Sequence, residues 1–151
     1  MENSYALITG ASSGIGLEIA KNLASRGYNL ILTARRTELL EALANEITYK
    51  HDVKVDFITC DLSKYEAPKE IFEFCVSKNY QVDFLVNNAG YGIKTSFHET
   101  SIDVEEDFIR VLGTSVIMLT KLFMPKMLEN GDGKIMIVSS VASFAAPSAI
   151  Q

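Results

Sequence analysis

The stretch from Thr9 to Gly16, TGASSGIG, decides the fold. It begins where the apolar run Ser4–Thr9 (SYALIT) ends and leads into an amphipathic segment at 14–26, so it marks a strand-to-helix junction. Gly10 allows a tight turn, Gly14 lets the chain approach a pyrophosphate, and Gly16 lets helix and strand pack closely. With Ser12, Ser13 and Ile15 between them, these residues present free N–H groups at a helix start, where phosphates bind. The spacing is G-x-x-x-G-x-G. It differs from the common G-x-G-x-x-G dinucleotide pattern and lacks the Lys-Ser/Thr ending of a P-loop.

Outward from this loop, short apolar β-branched runs alternate with amphipathic stretches. Strands are predicted at Ser4–Thr9, 28–33 (YNLILT), 53–59 (VKVDFIT), 83–87 (DFLVN) and 134–139 (KIMIVS), and helices at 14–26, 36–50, 68–79 and 101–128. Leu30, Ile31 and Leu32, and likewise Ile135 to Val138, are apolar in succession, which suits strands buried on both faces of a parallel sheet. The alternation implies right-handed βαβ units and hence an α/β, three-layer, doubly wound Rossmann fold of about five strands and four helices, incomplete at its C-terminus. No repeat, charge block or linker interrupts residues 1–151, which read as a single dinucleotide-binding domain.

The helix at 101–128 carries two further signals. Thr100 and Asp103 resemble a capping box, with Glu105, Glu106 and Asp107 suited to a helix N-terminus. Val104, Phe108, Val111, Ser115, Met118 and Leu122 form one stripe, while Ile109, Val116, Ile117 and Phe123 lie off it and are apolar too. A helix apolar on more than one face is buried on more than one. One face covers the sheet, and the other calls for a neighbouring helix or a second subunit, which makes a homodimer or homotetramer the expected assembly.

The chain has 151 residues, 48% hydrophobic and 22% charged, with a net charge of -5. These are globular values, and they exclude disordered, collagenous and low-complexity classes. The acidic balance argues against a nucleic-acid or membrane-surface partner. Cys60 and Cys75 are too few for a disulfide framework and read as small hydrophobes in a reduced protein, while with His51 and His98 they make no zinc set; no metal is expected. There is no leader and no unbroken apolar run of membrane length, so a cytoplasmic location is expected. His98 beside Glu99 reads as a surface loop, and Met118, Met124, Met127 and Met136 as core fillers.

Three motifs, each at the carboxyl end of a predicted strand, carry a family resemblance. TGASSGIG at 9–16, NNAG at 87–90 and KIMIVSS at 134–140 together resemble the short-chain dehydrogenase/reductase family, over the whole chain but with only about three-fifths of a usual member's length. At the end of the second strand, Ala34 stands where members preferring NAD carry an Asp. Arg35 and Arg36 follow, and a guanidinium binds phosphate oxygens in pairs, so the expected cofactor is NADP (NADPH). The resemblance implies that Asp61 accepts a hydrogen bond from the adenine amino group, with Leu62 covering the ring; alone, Asp61-Leu62-Ser63 is equally a capping turn. Asn88, Ala89 and Gly90 would turn against the cofactor ribose, or form simply a tight turn.

The resemblance also implies that Ser140 is catalytic, hydrogen-bonding the oxygen of a small-molecule carbonyl or alcohol substrate, with Ser139 as structural neighbour. The family's proton-donating Tyr, with a Lys four residues later to lower its pKa, would fall about a dozen residues beyond Ser140, past Gln151. Of the tyrosines present only Tyr65, with Lys69, has a Lys at that spacing, and it lies before the fourth strand rather than beyond Ser140. The family's helix Asn is replaced as well, by Leu112 on one alignment anchor or Arg110 on the other. The leading expectation is therefore an NADP-dependent oxidoreductase transferring a hydride between nicotinamide and a carbonyl or alcohol. The alternative is a non-catalytic dinucleotide-binding fragment of such an enzyme. An S-adenosylmethionine methyltransferase fits less well, because that ligand has no phosphate to meet Arg35 and Arg36.

Overall fold

The computed structural model describes residues 4–140. Strands β1 (Ser4–Thr9), β2 (Asn29–Ala34), β3 (Val55–Thr59), β4 (Gln81–Asn87) and β5 (Lys134–Ile137) form one sheet in the order β3-β2-β1-β4-β5. Every neighbouring pair is parallel. Helices α1 (Gly14–Ser25), α2 (Thr37–Lys50), α3 (Ala67–Ser77), α4 (Ile102–Ile109) and α5 (Ser115–Asn130) make the crossovers.

Successive strand residues point to opposite faces, so an unbroken apolar run feeds two cores at once. Ala6, Ile8, Leu30, Leu32 and Val86 meet α1 and α2 through Ala20, Leu23, Leu40 and Ile47. Tyr5, Leu7, Ile31 and Leu85 face the other way, onto Ile71 and Cys75 of α3 and Leu119 and Phe123 of α5. The strand order reverses between β1 and β4. Chain segments leaving those two strands diverge, which opens a crevice above their carboxyl ends.

The expected elements are all present, with shifted ends. β2 starts and ends one residue later than expected, β3 starts at Val55, β4 reaches back to Gln81, and β5 stops at Ile137 rather than Ser139. The long helix differs more. Its cap is Ser101, whose Oγ accepts from Val104 N at 3.4 Å, and not Thr100, whose hydroxyl instead donates to Phe97 O at 2.8 Å. Between α4 and α5, residues Arg110–Thr114 form a π turn. A wider turn rotates everything after it relative to everything before. The buried stripe consequently runs Val111, Ser115, Leu119, Phe123, Met127. Phe123, expected off the stripe, is buried on the sheet; Val104, expected on it, is exposed, and Phe108, Met118 and Leu122 are half-buried.

Of the methionines assigned to the core, Met127 is buried, whereas Met124 and Met136 are exposed. The combined helix Ile102–Asn130 is long and apolar enough to cross a membrane by length and composition, and its sheet-facing stripe accounts for part of that apolarity. Ile109, Ile117 and Leu128 remain exposed on its outer side. Cys60 and Cys75 are buried free thiols.

Candidate cofactor-binding cleft

Thr9 ends β1 and ties the two loops of the crevice together. Its Oγ1 donates to Val86 O at 3.3 Å and accepts from the backbone N–H groups of Asn88 at 2.9 Å and Ala89 at 3.0 Å. The Asn88 side chain completes the tie, donating from Nδ2 to Thr9 O at 2.9 Å and Gly10 O at 3.3 Å. The NNAG segment is therefore a clamp on the glycine loop as well as a turn. Gly16 packs against that clamp. A Cβ there would overlap both Gly10 O and Asn88 Nδ2, so the close packing assigned to Gly16 is against a loop as well as a strand. Gly14 has φ +59°, and a Cβ on it would meet nothing, because it faces the open crevice.

The crevice is a cleft of about 1580 Å³. Every candidate residue of the sequence reading lines it, from Gly10 to Ser140, except Gly16, which sits beneath the loop. At one wall, helix α1 opens with no side chain capping its first N–H groups, and Ile15 in that turn is 62% exposed. Arg36 leans over this turn and donates from Nη2 to Ser12 Oγ at 3.1 Å and Ser13 Oγ at 2.9 Å. Arg35, Lys64 and Lys94 line the same cleft, and none of these four cations is paired with a carboxylate among the described residues. The buried hydroxyl of Thr33, 1% exposed, has no hydrogen-bond partner among the described residues, and Thr33 also lines the cleft.

Open helix N–H groups, a glycine with space before it and unpaired cations fit a polyphosphate such as a dinucleotide. Asp61 and Leu62 are partly committed elsewhere. Asp61 Oδ1 accepts from Ser63 N at 3.0 Å, so the turn reading of this residue is realised, and Leu62 is buried in the core beside Cys60 and Ile71. Burial and the neighbouring Glu70 carboxylate push the Cys60 thiol up to about 11, which leaves it a packing group. His98 lies in an exposed 3₁₀ turn, Phe97–Glu99, away from any pairing role. Among the described residues no cluster of potential metal ligands occurs.

The π turn sends the two anchors for the family's helix Asn in different directions. Leu112 lines the cleft and packs on Gly90, with Cδ2 at 3.0 Å from a Cβ placed there. Arg110 is tied to Glu106 at 2.8 Å and Asp107 at 3.4 Å and does not line the cleft. The sequence reading overlooked Tyr91, Lys64 and Lys94. The signal for Tyr91 was its place directly after NNAG, and for the lysines their closeness to the loops that end β3 and β4.

A parallel sheet of this order, with a glycine-rich loop feeding an open helix N-terminus at its switch point, defines a nucleotide-binding domain of the Rossmann type. The family model for short chain dehydrogenase matches residues 4–150, and the chain belongs to that family. Among curated relatives, a fatty acyl-CoA reductase of Acinetobacter baylyi is 35% identical over 96% of this chain and 50% of its own length. A very-long-chain 3-oxoacyl-CoA reductase of Vanderwaltozyma polyspora is 36% identical over 83% of this chain and 37% of its own. Among solved structures, a metagenomic short-chain oxidoreductase in complex with NADP superposes with a TM-score of 0.90 at 31% identity, covering 99% of this chain and 67% of that one. An alcohol dehydrogenase of Thermococcus sibiricus complexed with 5-hydroxy-NADP gives 0.86 at 33%, covering 97% and 63%. The chain spans about half the length of the curated relative from Acinetobacter.

Proposed function

We propose that this chain forms the NADP(H)-binding part of an oxidoreductase that moves a hydride between the nicotinamide and a carbonyl or alcohol. The observation that carries this reading is the set of four cleft cations without carboxylate partners beside the open N-terminus of α1. All four are exposed and of one sign, and cations gathered along one cleft concentrate anions there, so they point to an anionic ligand. Arg35 and Arg36 would hold the 2′-phosphate, with Ser12 and Ser13 beside them, and the N–H groups of Gly14, Ile15 and Gly16 the pyrophosphate. Asn88, Ala89 and Gly90 would face the ribose, and Asp61 and Leu62 the adenine. Solved family members in complex with NADP or NADPH support the choice of cofactor.

When bound, such a cofactor supplies or accepts the hydride. The chain's own part is orientation. Ser140, beyond the carboxyl end of β5 and lining the cleft, would hydrogen-bond the substrate oxygen and hold the carbonyl carbon facing the nicotinamide. Tyr65 alone among the tyrosines of residues 1–151 has a Lys four places later, Lys69, but neither lines the cleft, and Lys69 pairs with Glu73 at 3.6 Å. For residues 1–151 alone this favours a second reading, cofactor binding without turnover. Calorimetric titration with NADPH and NADH tests the first: NADPH should bind, and more tightly. A chain that binds neither contradicts both readings.

The exposed Ile109, Ile117 and Leu128 on the outer side of α4 and α5 favour a homo-oligomer paired through this helix. Sedimentation or light scattering measures that directly. The two buried unpaired thiols accord with a reducing, cytoplasmic setting.

A further inference from the structure

We propose that Tyr91 is a cofactor-positioning residue whose ring, braced by Phe108, forms the wall on which the adenine of the bound dinucleotide stacks. The inference rests on the NADP(H) reading above and assigns a residue to the adenosine end of that site. Tyr91 follows Gly90 directly, so it leaves the clamped NNAG loop at a fixed point. It lines the cleft and is 40% exposed. Its ring meets Phe108 of α4 at 5.5 Å between centroids and 81° between planes, a T-shaped contact. Such a pair is worth more than its buried area alone and fixes the orientation of an otherwise mobile side chain. Phe97, the other exposed aromatic at the cleft, is 75% exposed and has no ring partner among the described residues. Of the two, Tyr91 is the one held in place.

Charged groups of both signs act on the Tyr91 hydroxyl in the cleft. Burial first, then the Asp107 carboxylate, raises its pKa; Arg35 opposes them, and Asp61 adds to the rise. Arg35 follows β2 and Asp61 follows β3, and both line the cleft together with Tyr91. A base that reached Asp61 with its amino group would lie within reach of a ring held there. The hydroxyl has no hydrogen-bond partner among the described residues, so no internal bond ties the ring away from the cleft. A π-face offered to a flat base is a stacking platform, and it is indifferent to the 2′-phosphate.

The experiment titrates the 151-residue chain with NADPH, NADH and adenosine 2′,5′-bisphosphate, alongside Tyr91→Ala, Tyr91→Leu and Tyr91→Phe, with unliganded melting curves for each. Alanine and leucine should weaken NADPH and adenosine 2′,5′-bisphosphate by about tenfold, with the NADPH-to-NADH ratio unchanged, while phenylalanine binds as the parent does. Affinities for the bisphosphate within about twofold of the parent in the folded alanine and leucine chains overturn the proposal. So does a phenylalanine variant as weak as alanine, since the hydroxyl and not the ring would then be the contact. A parent chain that binds none of the three ligands overturns the cofactor reading itself, a failure distinct from that of Tyr91.

Discussion

Asn88 and Gly16 occupy one piece of space between them. The Asn88 amide lies where a Gly16 side chain would begin, and from there it donates to Thr9 O at 2.9 Å and Gly10 O at 3.3 Å. A residue of the β4 loop thereby sets the conformation of the loop after β1. Asn88→Ala should leave those acceptors short of a donor, at a cost of about 1–3 kcal/mol in chemical denaturation. Gly16→Ala forces atoms onto the Gly10 backbone and should cost about as much or more, because backbone gives less than side chains do. If Asn88→Ala were as stable as the parent and bound NADPH equally well, the clamp would be incidental.

Arg35 makes no ion pair within the described chain and so stands ready for a ligand's charge. Arg35→Asp should reduce NADPH affinity on the order of a hundredfold, through loss of a charge-assisted pair and added repulsion, while NADH changes little. Arg36→Ala should weaken binding too, and should also release the Ser12 and Ser13 hydroxyls it now holds. Equal titrations of both dinucleotides before and after Arg35→Asp would dismiss the 2′-phosphate assignment.

Gly14 has room for a side chain but the wrong backbone for one. Its φ of +59° costs an L-residue roughly 1–2 kcal/mol, more for a β-branched one. Gly14→Val should therefore melt somewhat lower and also lose cofactor, because the new methyl groups occupy the approach to the α1 N-terminus. Melting and titration separate the two effects. A variant that melts lower yet binds normally would make Gly14 a folding residue only.

At the opposite edge of the sheet, Asp56 on β3 holds Lys78 Nζ at 3.0 Å and Tyr80 OH at 2.9 Å. Burial alone would raise its carboxyl, but hydrogen bonds from Lys78, Tyr80 and Phe57 N outweigh it and hold the pKa below its ordinary 3.8. A group lowered by folding stabilises the fold above its unfolded pKa and loses that contribution as pH falls through the folded one. Asp56→Asn should melt below the parent at neutral pH, with the gap closing below about pH 4. A gap that widens in acid would reverse the assignment.

Both thiols are buried, and burial raises Cys60 to about 11 and Cys75 to about 12. The reactive form is the thiolate, so an aromatic disulfide reagent at pH 8 should react slowly with the folded chain and rapidly after denaturation. Fast labelling of either cysteine under native conditions would show that the packing around it opens readily.

The sequence by itself determined the sheet, the place of the cleft and the sign of its ligand. Those follow from local chemistry: the apolar run of β2 buried on both faces (that of β5 leaves Ile135, Met136 and Ile137 exposed), glycines at one junction, and Arg35-Arg36 where a strand ends. Tertiary structure decided what depends on rotation and approach. The π turn at Arg110–Thr114 sends Leu112 to the cleft and Arg110 to its acidic neighbours, and it turns Phe123 rather than Met118 fully onto the sheet. A regular 3.6-residue period cannot contain an added residue, so a stripe counted from Val104 goes out of phase at the point where packing widens the helix. The Asn88 clamp and the Tyr91–Phe108 brace join residues from separate loops and helices, and only the folded sheet brings them together.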